Sequence, residues 1–237
     1  MRMHVLKHVP YEGPASIAEW ATGRGFDITE SLAVTEEHPP VSEIDFLVVL
    51  GGPMSADDHT KNPWLPAEKR FVAEAIDAGI FVLGVCLGAQ ILAEVAGGRV
   101  RRNDYPEIGW YPVRRTASSS LDPLFGVFPD VLVVGHWHSD TFDLPEGVKP
   151  TLSSDACANQ AFTLNNGRVV GLQFHLEWTG ESLEELVDAC IDELVDGGPY
   201  LTTAPQMLAH AEHHLDACRS ALWMLLDLMV SLPEGRQ

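Results

Sequence analysis

The chain has 237 residues, and 15 Lys and Arg against 34 Asp and Glu leave a formal net charge of −19. Apolar residues make up 46% and charged residues 21%, which supplies a sizeable core and excludes disorder as the main state. So acidic a chain repels phosphate backbones, so no nucleic-acid partner is expected.

No apolar run approaches the ~18 residues of a membrane span, so no membrane partner is expected. Lys7 and His8 interrupt the start before an export-type apolar stretch develops. The cysteines at 86, 157, 190 and 218 then read as reduced thiols. The expectation is a soluble, cytoplasmic protein.

Residues 3–9 read as a strand and 13–23 as a helix with Ile17, Trp20 and Ala21 on one face. The apolar run 46–50 ends in Gly51-Gly52-Pro53 and suits a strand buried on both faces. Residues 63–78 read as a helix, with Phe71, Val72, Ala75 and Ile76 at core spacing and Gly79 as its stop. A second buried strand, 80–85, runs directly into a helix over 87–96. This alternation predicts an α/β domain around a mostly parallel sheet.

Between 108 and 174 the pattern changes to short strands at 108–114, 131–135, 151–153, 161–164 and 168–174. Asn166-Gly167 marks a hairpin. Further on, Leu183, Leu186, Val187, Cys190, Ile191, Leu194 and Val195 form one helical stripe that ends at Gly197-Gly198-Pro199. A last helix starts near Thr203. It spaces Leu208, Ala211, Leu215, Cys218, Leu222, Leu225 and Met229 alternately by three and four, a seven-residue repeat. The expected division is a domain over 1–197 and a helical extension over 198–237, packed on the domain or at the interface of a homodimer.

Two segments carry chemistry. Gly84-Val85-Cys86-Leu87-Gly88 has the strand–turn–helix setting of a nucleophile elbow with cysteine in place of serine. Such a turn holds its nucleophile in a strained conformation, and the glycines remove side chains that would collide with strand and helix. Cys86 then stands at a helix N-terminus, which favours a thiolate. In the second segment, a strand ends in His175-Leu176-Glu177. Period-two geometry sends His175 and Glu177 the same way, so a carboxylate can fix the imidazole that serves a nucleophile. The plainer alternatives are a buried core cysteine and a strand-end histidine beside a helix-start glutamate.

Together, Gly84-Val85-Cys86-Leu87-Gly88-Ala89-Gln90 and Gly171-Leu172-Gln173-Phe174-His175-Leu176-Glu177 resemble the signatures of class I glutamine amidotransferases. Gly51-Gly52-Pro53 is similar to that family's oxyanion loop, and His138-Ser139-Asp140 to its glutamine-binding segment. Ile108-Gly109-Trp110, Asn159-Gln160-Ala161-Phe162 and His8-Val9-Pro10-Tyr11-Glu12-Gly13-Pro14 add to the resemblance, which covers roughly 3–180. It points most to free-standing proteins similar to the amidotransferase domain of GMP synthase. Ala89 stands where many relatives carry histidine.

The resemblance implies a flavodoxin-like three-layer sandwich with C-terminal helices added. It makes Cys86 the nucleophile on the glutamine side-chain amide, His175 the proton carrier and Glu177 its orienting group. Gly52 and Leu87 would form the oxyanion hole through their backbone N–H groups. Gln90, Ser139 and Asp140 would hold the substrate. Acylation would release ammonia and leave a γ-glutamyl thioester for water to cleave.

Other groups point to chemistry more weakly. His210 and His214, four apart on a helix, allow a metal pair, but no third ligand is recognisable and a solvated face is the simpler reading. His136 reads as a core or rim residue. Cys157, Cys190 and Cys218 read as packing residues, and Glu181, Glu184, Glu185 and Asp188 as a solvated face. Neither a Rossmann fingerprint nor a Walker loop is present, so no cofactor and no metal are expected. The ATP-pyrophosphatase phosphate loop of a whole GMP synthase is also missing. Three readings stay open. The chain is a glutaminase passing ammonia to a separate synthase, an independent hydrolase of γ-glutamyl compounds, or a non-catalytic regulatory or binding module.

Overall fold

The computed structural model describes residues 1–194 and 197–233. Its strands are β1 (Arg2–Lys7), β2 (Asp27–Leu32), β3 (Phe46–Val49), β4 (Phe81–Val85), β5 (Arg99–Arg115), β6 (Val131–Asp143), β7 (Leu152–Ser153), β8 (Ala161–Leu164) and β9 (Val169–Leu172). The helices are α1 (Ala15–Gly23), α2 (Leu65–Asp77), α3 (Leu87–Val95), α4 (Gly180–Ala189) and α5 (Ala204–Ser231). All strands join one sheet in the order β2-β1-β3-β4-β9-β8-β7-β5-β6. The first five run parallel to their neighbours, and the pairings from β9 through β8, β7 and β5 to β6 are antiparallel.

Strands β3, β4 and β9 have no exposed residue, because helices cover both faces. Alternation along the strands divides the core. Phe46, Val48, Leu83 and Val85 face Ile17 and Trp20 of α1 and Leu222, Leu225 and Met229 of α5. Leu47, Val49 and Val82 face Leu65, Val72 and Ala75 of α2 and Ile91 and Leu92 of α3. This is the three-layer α/β sandwich.

The antiparallel part is longer than its sequence pattern predicts. Strand β5 begins at Arg99, and the ladder with β6 shifts register between Arg102 and Glu107. Charged, exposed residues such as Arg101, Arg102 and Asp104 fill that first half, so apolar alternation does not reveal it. The edge strand β2 escapes the pattern for the same reason. Its Asp27, Thr29 and Glu30 are exposed.

Both C-terminal patterns need correction. Helix α4 stops at Cys190, and a 3₁₀ turn over Ile191–Glu193 follows, leaving Ile191 55% exposed. The chain leaves the helix to reach β5, where Tyr200 O accepts the Ile108 N–H at 2.8 Å. Val195 lies outside the described residues. In α5 the buried residue at the start of the stripe is Met207, not Leu208, which is 37% exposed. An α-helix drifts by ~20° per seven residues against a strict heptad. Met207 and Ala211 therefore enter a small core with Ile108, Trp178 and Leu183, while Cys218, Leu222, Leu225 and Met229 enter the larger one.

Helix α5 is held by polar contacts as well. A capping box joins Thr203 and Gln206 at its start. The Trp223 indole donates to Ser16 O at 3.0 Å, and the Trp20 indole donates to Asp227 at 3.0 Å. Substituting Leu225, which is fully buried, should show how far the fold depends on this helix. Leu225→Ala is expected to destabilise by about 2–5 kcal/mol, and Leu208→Ala by less than about 0.5 kcal/mol. Urea unfolding of the two variants checks this, and equal losses would contradict the observed helix face.

Candidate active site

The parallel strands β1, β3, β4 and β9 lie in register, so their carboxyl ends open on one edge of the sheet. In open α/β sheets that edge is where ligands bind. The residues just beyond these strands are His8, Gly51 and Gly52, Cys86, and His175.

Cys86 joins β4 to α3 with φ 53° and ψ −107°. An L-residue held there stores roughly 1–3 kcal/mol of backbone strain. Close packing makes the turn possible. A Cβ on Gly88 would lie 1.9 Å from the Val49 carbonyl oxygen, and one on Gly84 would lie 2.6 Å from the Gly88 backbone. The Cys86 N–H donates to Leu172 O at 2.8 Å, and the Gly88 N–H to Leu50 O at 3.2 Å. These bonds fasten the turn to both neighbouring strands. Among the described residues, the N–H groups of Gly52 and Leu87 meet no protein acceptor.

His175 is 2% exposed and leaves the sheet at β9, where its N–H donates to Gly135 O at 2.8 Å. A Cβ on Gly135 would strike the Trp178 ring, which stacks on the His175 ring with centroids 4.3 Å apart. His175 Nδ1–H donates to Glu177 Oε1 at 2.6 Å, and the Leu176 N–H donates to Glu177 Oε2 at 3.0 Å. His175 Nε2 has no protein partner among the described residues. Burial opposes a charge on this ring, but attraction to Glu177, the nearby Cys86 and the hydrogen bond to Glu177 outweigh it and hold the pKa well above the usual imidazole value.

Cys86 and His175 share a cavity of about 760 Å³ with Gly52, Leu87, Gln90, Ser139 and Asp140. All eight expected site residues are near it, with Glu177 behind His175. Gln90 Nε2 donates to Gln173 Oε1 at 3.2 Å, and Asp140 accepts from Ser55 Oγ at 2.7 Å. Glu12 also lines the cavity, beside Gly51, where a Cβ would sit 2.2 Å from its carboxylate. Burial raises the Glu12 pKa, against the pull of His175. Cys190 packs against the small core, as the sequence reading has it, and in addition lines the cavity, half-buried and 3.8 Å from the Tyr11 hydroxyl.

Glu107, His136 and His138 form the one group of three or more among the described residues whose metal-ligand atoms lie within 4.8 Å of one another. Both Glu107 oxygens are already engaged, by Ser154 Oγ and Gln160 Nε2, each at 2.7 Å. His138 Nδ1 donates to Asp140 O at 2.9 Å, so the cluster supports the Ser139–Asp140 segment from behind. Burial lowers the His136 pKa to about 4, the signature of a core histidine. The other histidine pair lies away from the cavity. His210 is exposed, and the half-buried His214 packs on Trp110 at 5.4 Å.

Residues 24–191 match the family model described as glutamine amidotransferase class-I. A glutamine amidotransferase-like protein of Salmonella typhimurium, YfeJ, is 32% identical over 96% of each chain. One component of a glutamine-hydrolyzing GMP synthase from Haloarcula marismortui is 30% identical over 64% of this chain and 75% of its own. A crystal structure of a glutamine amidotransferase from Thermotoga maritima superposes with a TM-score of 0.87 at 30% identity, over 98% of this chain and 99% of that one. With the matched model spanning most of its length, the chain belongs to the class I glutamine amidotransferase family.

Proposed function

We propose that the chain hydrolyses the side-chain amide of glutamine through a γ-glutamyl thioester on Cys86. The observation that carries this reading is the His175 ring, tied to Glu177 through Nδ1, with a buried, unpaired Nε2 at the wall of the cavity it shares with Cys86. His175 takes the thiol proton as Sγ attacks the amide carbon, and returns it to the departing nitrogen. Ammonia leaves. Water, deprotonated by the same ring, then cleaves the thioester and releases glutamate. The free N–H groups of Gly52 and Leu87 supply an oxyanion hole, each donor worth on the order of 3 kcal/mol. Gln90, Ser139 and Asp140 hold the amino-acid end.

A second reading keeps the chemistry and enlarges the substrate to a γ-glutamyl compound. The cavity favours it, because about 760 Å³ falls within the range of pockets for drug-sized ligands and exceeds what glutamine alone fills. The GMP synthase relative is itself one component of a larger enzyme, so a separate synthase as ammonia acceptor belongs to the first reading. Under either reading, residues 1–197 carry the chemistry and the segment from 198 is an added helical element.

Cys86→Ala is expected to abolish release of ammonia or amine while the melting temperature holds. His175→Ala should cost nearly as much, and Glu177→Gln less, since an orienting group contributes less than the base it holds. Glutamine and γ-glutamyl peptides assayed side by side separate the two readings. Full turnover in Cys86→Ala would overturn both.

The raised His175 pKa also predicts a pH dependence. A raised folded pKa stabilises the fold fully below the unfolded value and ceases to do so as pH rises through the folded one. Stability should therefore fall on the alkaline side, beginning above about pH 6.5. In Glu177→Gln the loss should be smaller, because the attraction that raises the pKa is gone. Thermal melts across pH measure it, and identical profiles for the two proteins would refute the assignment.

A further inference from the structure

His8 follows β1 and is walled in completely, as is Glu68 in the first turn of α2, 60 positions along the chain. The His8 Nε2–H donates to Glu68 Oε1 at 2.9 Å, and the Nδ1–H donates to Gly51 O at 2.9 Å. Both ring nitrogens face acceptors, so the geometry calls for two protons and an imidazolium. Burial opposes that charge, but the bond and attraction to Glu68 override it and raise the pKa. Glu68 Oε2 has no partner among the described residues, so His8 is the group that compensates this carboxylate. The ring also rests against Trp64, with centroids 5.5 Å apart, and lies near Glu12 and His38.

A buried ion pair is a poor source of stability, since well-packed apolar residues often serve as well or better. Its use here follows from the peptide plane. The Gly51 carbonyl and the Gly52 N–H belong to one trans peptide unit and point in opposite directions. Holding the carbonyl therefore aims the N–H. The Gly51 end of that unit lies against the nucleophile, since a Cβ on Gly51 would be 3.6 Å from the Cys86 Cβ. Gly52 itself is clamped, since a Cβ there would meet His8 at 2.8 Å and Leu87 at 3.2 Å.

We infer that the buried His8–Glu68 pair is a positioning device that fixes the Gly51–Gly52 peptide, so that its N–H stays aimed at the oxyanion formed at Cys86. His8 touches no substrate. Its effect passes through the Gly51 carbonyl. The inference rests on the proposed hydrolysis, in which Gly52 is an oxyanion donor.

The test compares wild type, Cys86→Ala, His8→Leu/Glu68→Leu and His8→Asn/Glu68→Gln, with glutamine and a γ-glutamyl peptide as substrates. The Leu/Leu variant should lose about 10- to 100-fold in kcat, part of the roughly 10²–10³ that a whole oxyanion donor contributes. Its KM should change by less than about twofold, and its melting temperature should hold. The Asn/Gln variant keeps a donor toward Gly51 and should recover most of the kcat. A crystal structure of each should show the Gly51–Gly52 peptide turned in Leu/Leu and held in Asn/Gln. Unchanged kcat with an unmoved peptide in a folded Leu/Leu variant would overturn the inference. If Leu/Leu fails to fold, the single Glu68→Gln variant decides. A fall in kcat at constant KM supports the positioning role, and parallel loss of stability without a kcat effect rejects it. Were wild type as inactive as Cys86→Ala on both substrates, the hydrolytic reading would fail instead. The peptide orientation in the variants would still decide what His8 holds.

Discussion

The site depends on how closely α3 approaches the sheet at the elbow. Gly88 packs so near β3 that its missing Cβ would overlap the Val49 carbonyl oxygen, and Gly84 packs directly on the Gly88 backbone. Only at that separation can the chain turn from β4 into α3 within one residue, and that residue is Cys86 with φ 53°. Its strain is offset by the hydrogen bonds of Cys86 and Gly88 to the strands on either side. The thiol therefore stands at a helix N-terminus among unused N–H groups, because the backbone has no other route.

Around this turn the chain buries charge in pairs. His175 with Glu177 and His8 with Glu68 flank Cys86 on the same sheet edge, and all four side chains are almost wholly covered. In each pair burial works against the charged ring and a carboxylate at hydrogen-bond distance works for it. The pairs differ in what the second ring nitrogen meets. In His8 it meets a fixed carbonyl, so the ring is fully committed to structure. In His175 it is buried at the cavity wall without a hydrogen-bond partner among the described residues, so that ring keeps one nitrogen uncommitted. Two chemically similar pairs thus suit different tasks.

Local signals in the sequence suffice for the elbow and for the strand leading to His175. A fully apolar strand followed by Gly-x-Cys-x-Gly, or by His-x-Glu, fixes both the element and the direction of the side chains. The His8–Glu68 pair is not legible in this way. Its members are 60 positions apart, and only the parallel pairing of β1 with β3 and the packing of α2 bring them together. The apolar stripe places Cys190 correctly against the small core, but a stripe does not announce where its helix ends, so the cavity wall that Cys190 forms with the 3₁₀ turn after α4 is not legible from it. Strand β2 and the first half of β5 are hidden by charged, exposed residues, whose pairing is decided by neighbouring strands and not by their own alternation.

The cavity therefore has two walls of different origin. One wall is the strand edge with Cys86, His175, Gly52 and Gln90, rigid because every element there is covered on both faces. The other comes from the end of α4 and the turn beyond it, with Leu186, Cys190, Asp192, Glu193 and Leu201. This second wall packs on the small core around Ile108, Trp178 and Leu183 and is tied to it by the Ile108–Tyr200 backbone bond and the Trp137 indole donating to Glu193 at 3.1 Å. Among the described residues Asp192 and Glu193 have no Lys or Arg partner. The first wall's catalytic candidates lie in compact sequence motifs. The residues of the second share no motif, and their spacing follows from where one helix stops.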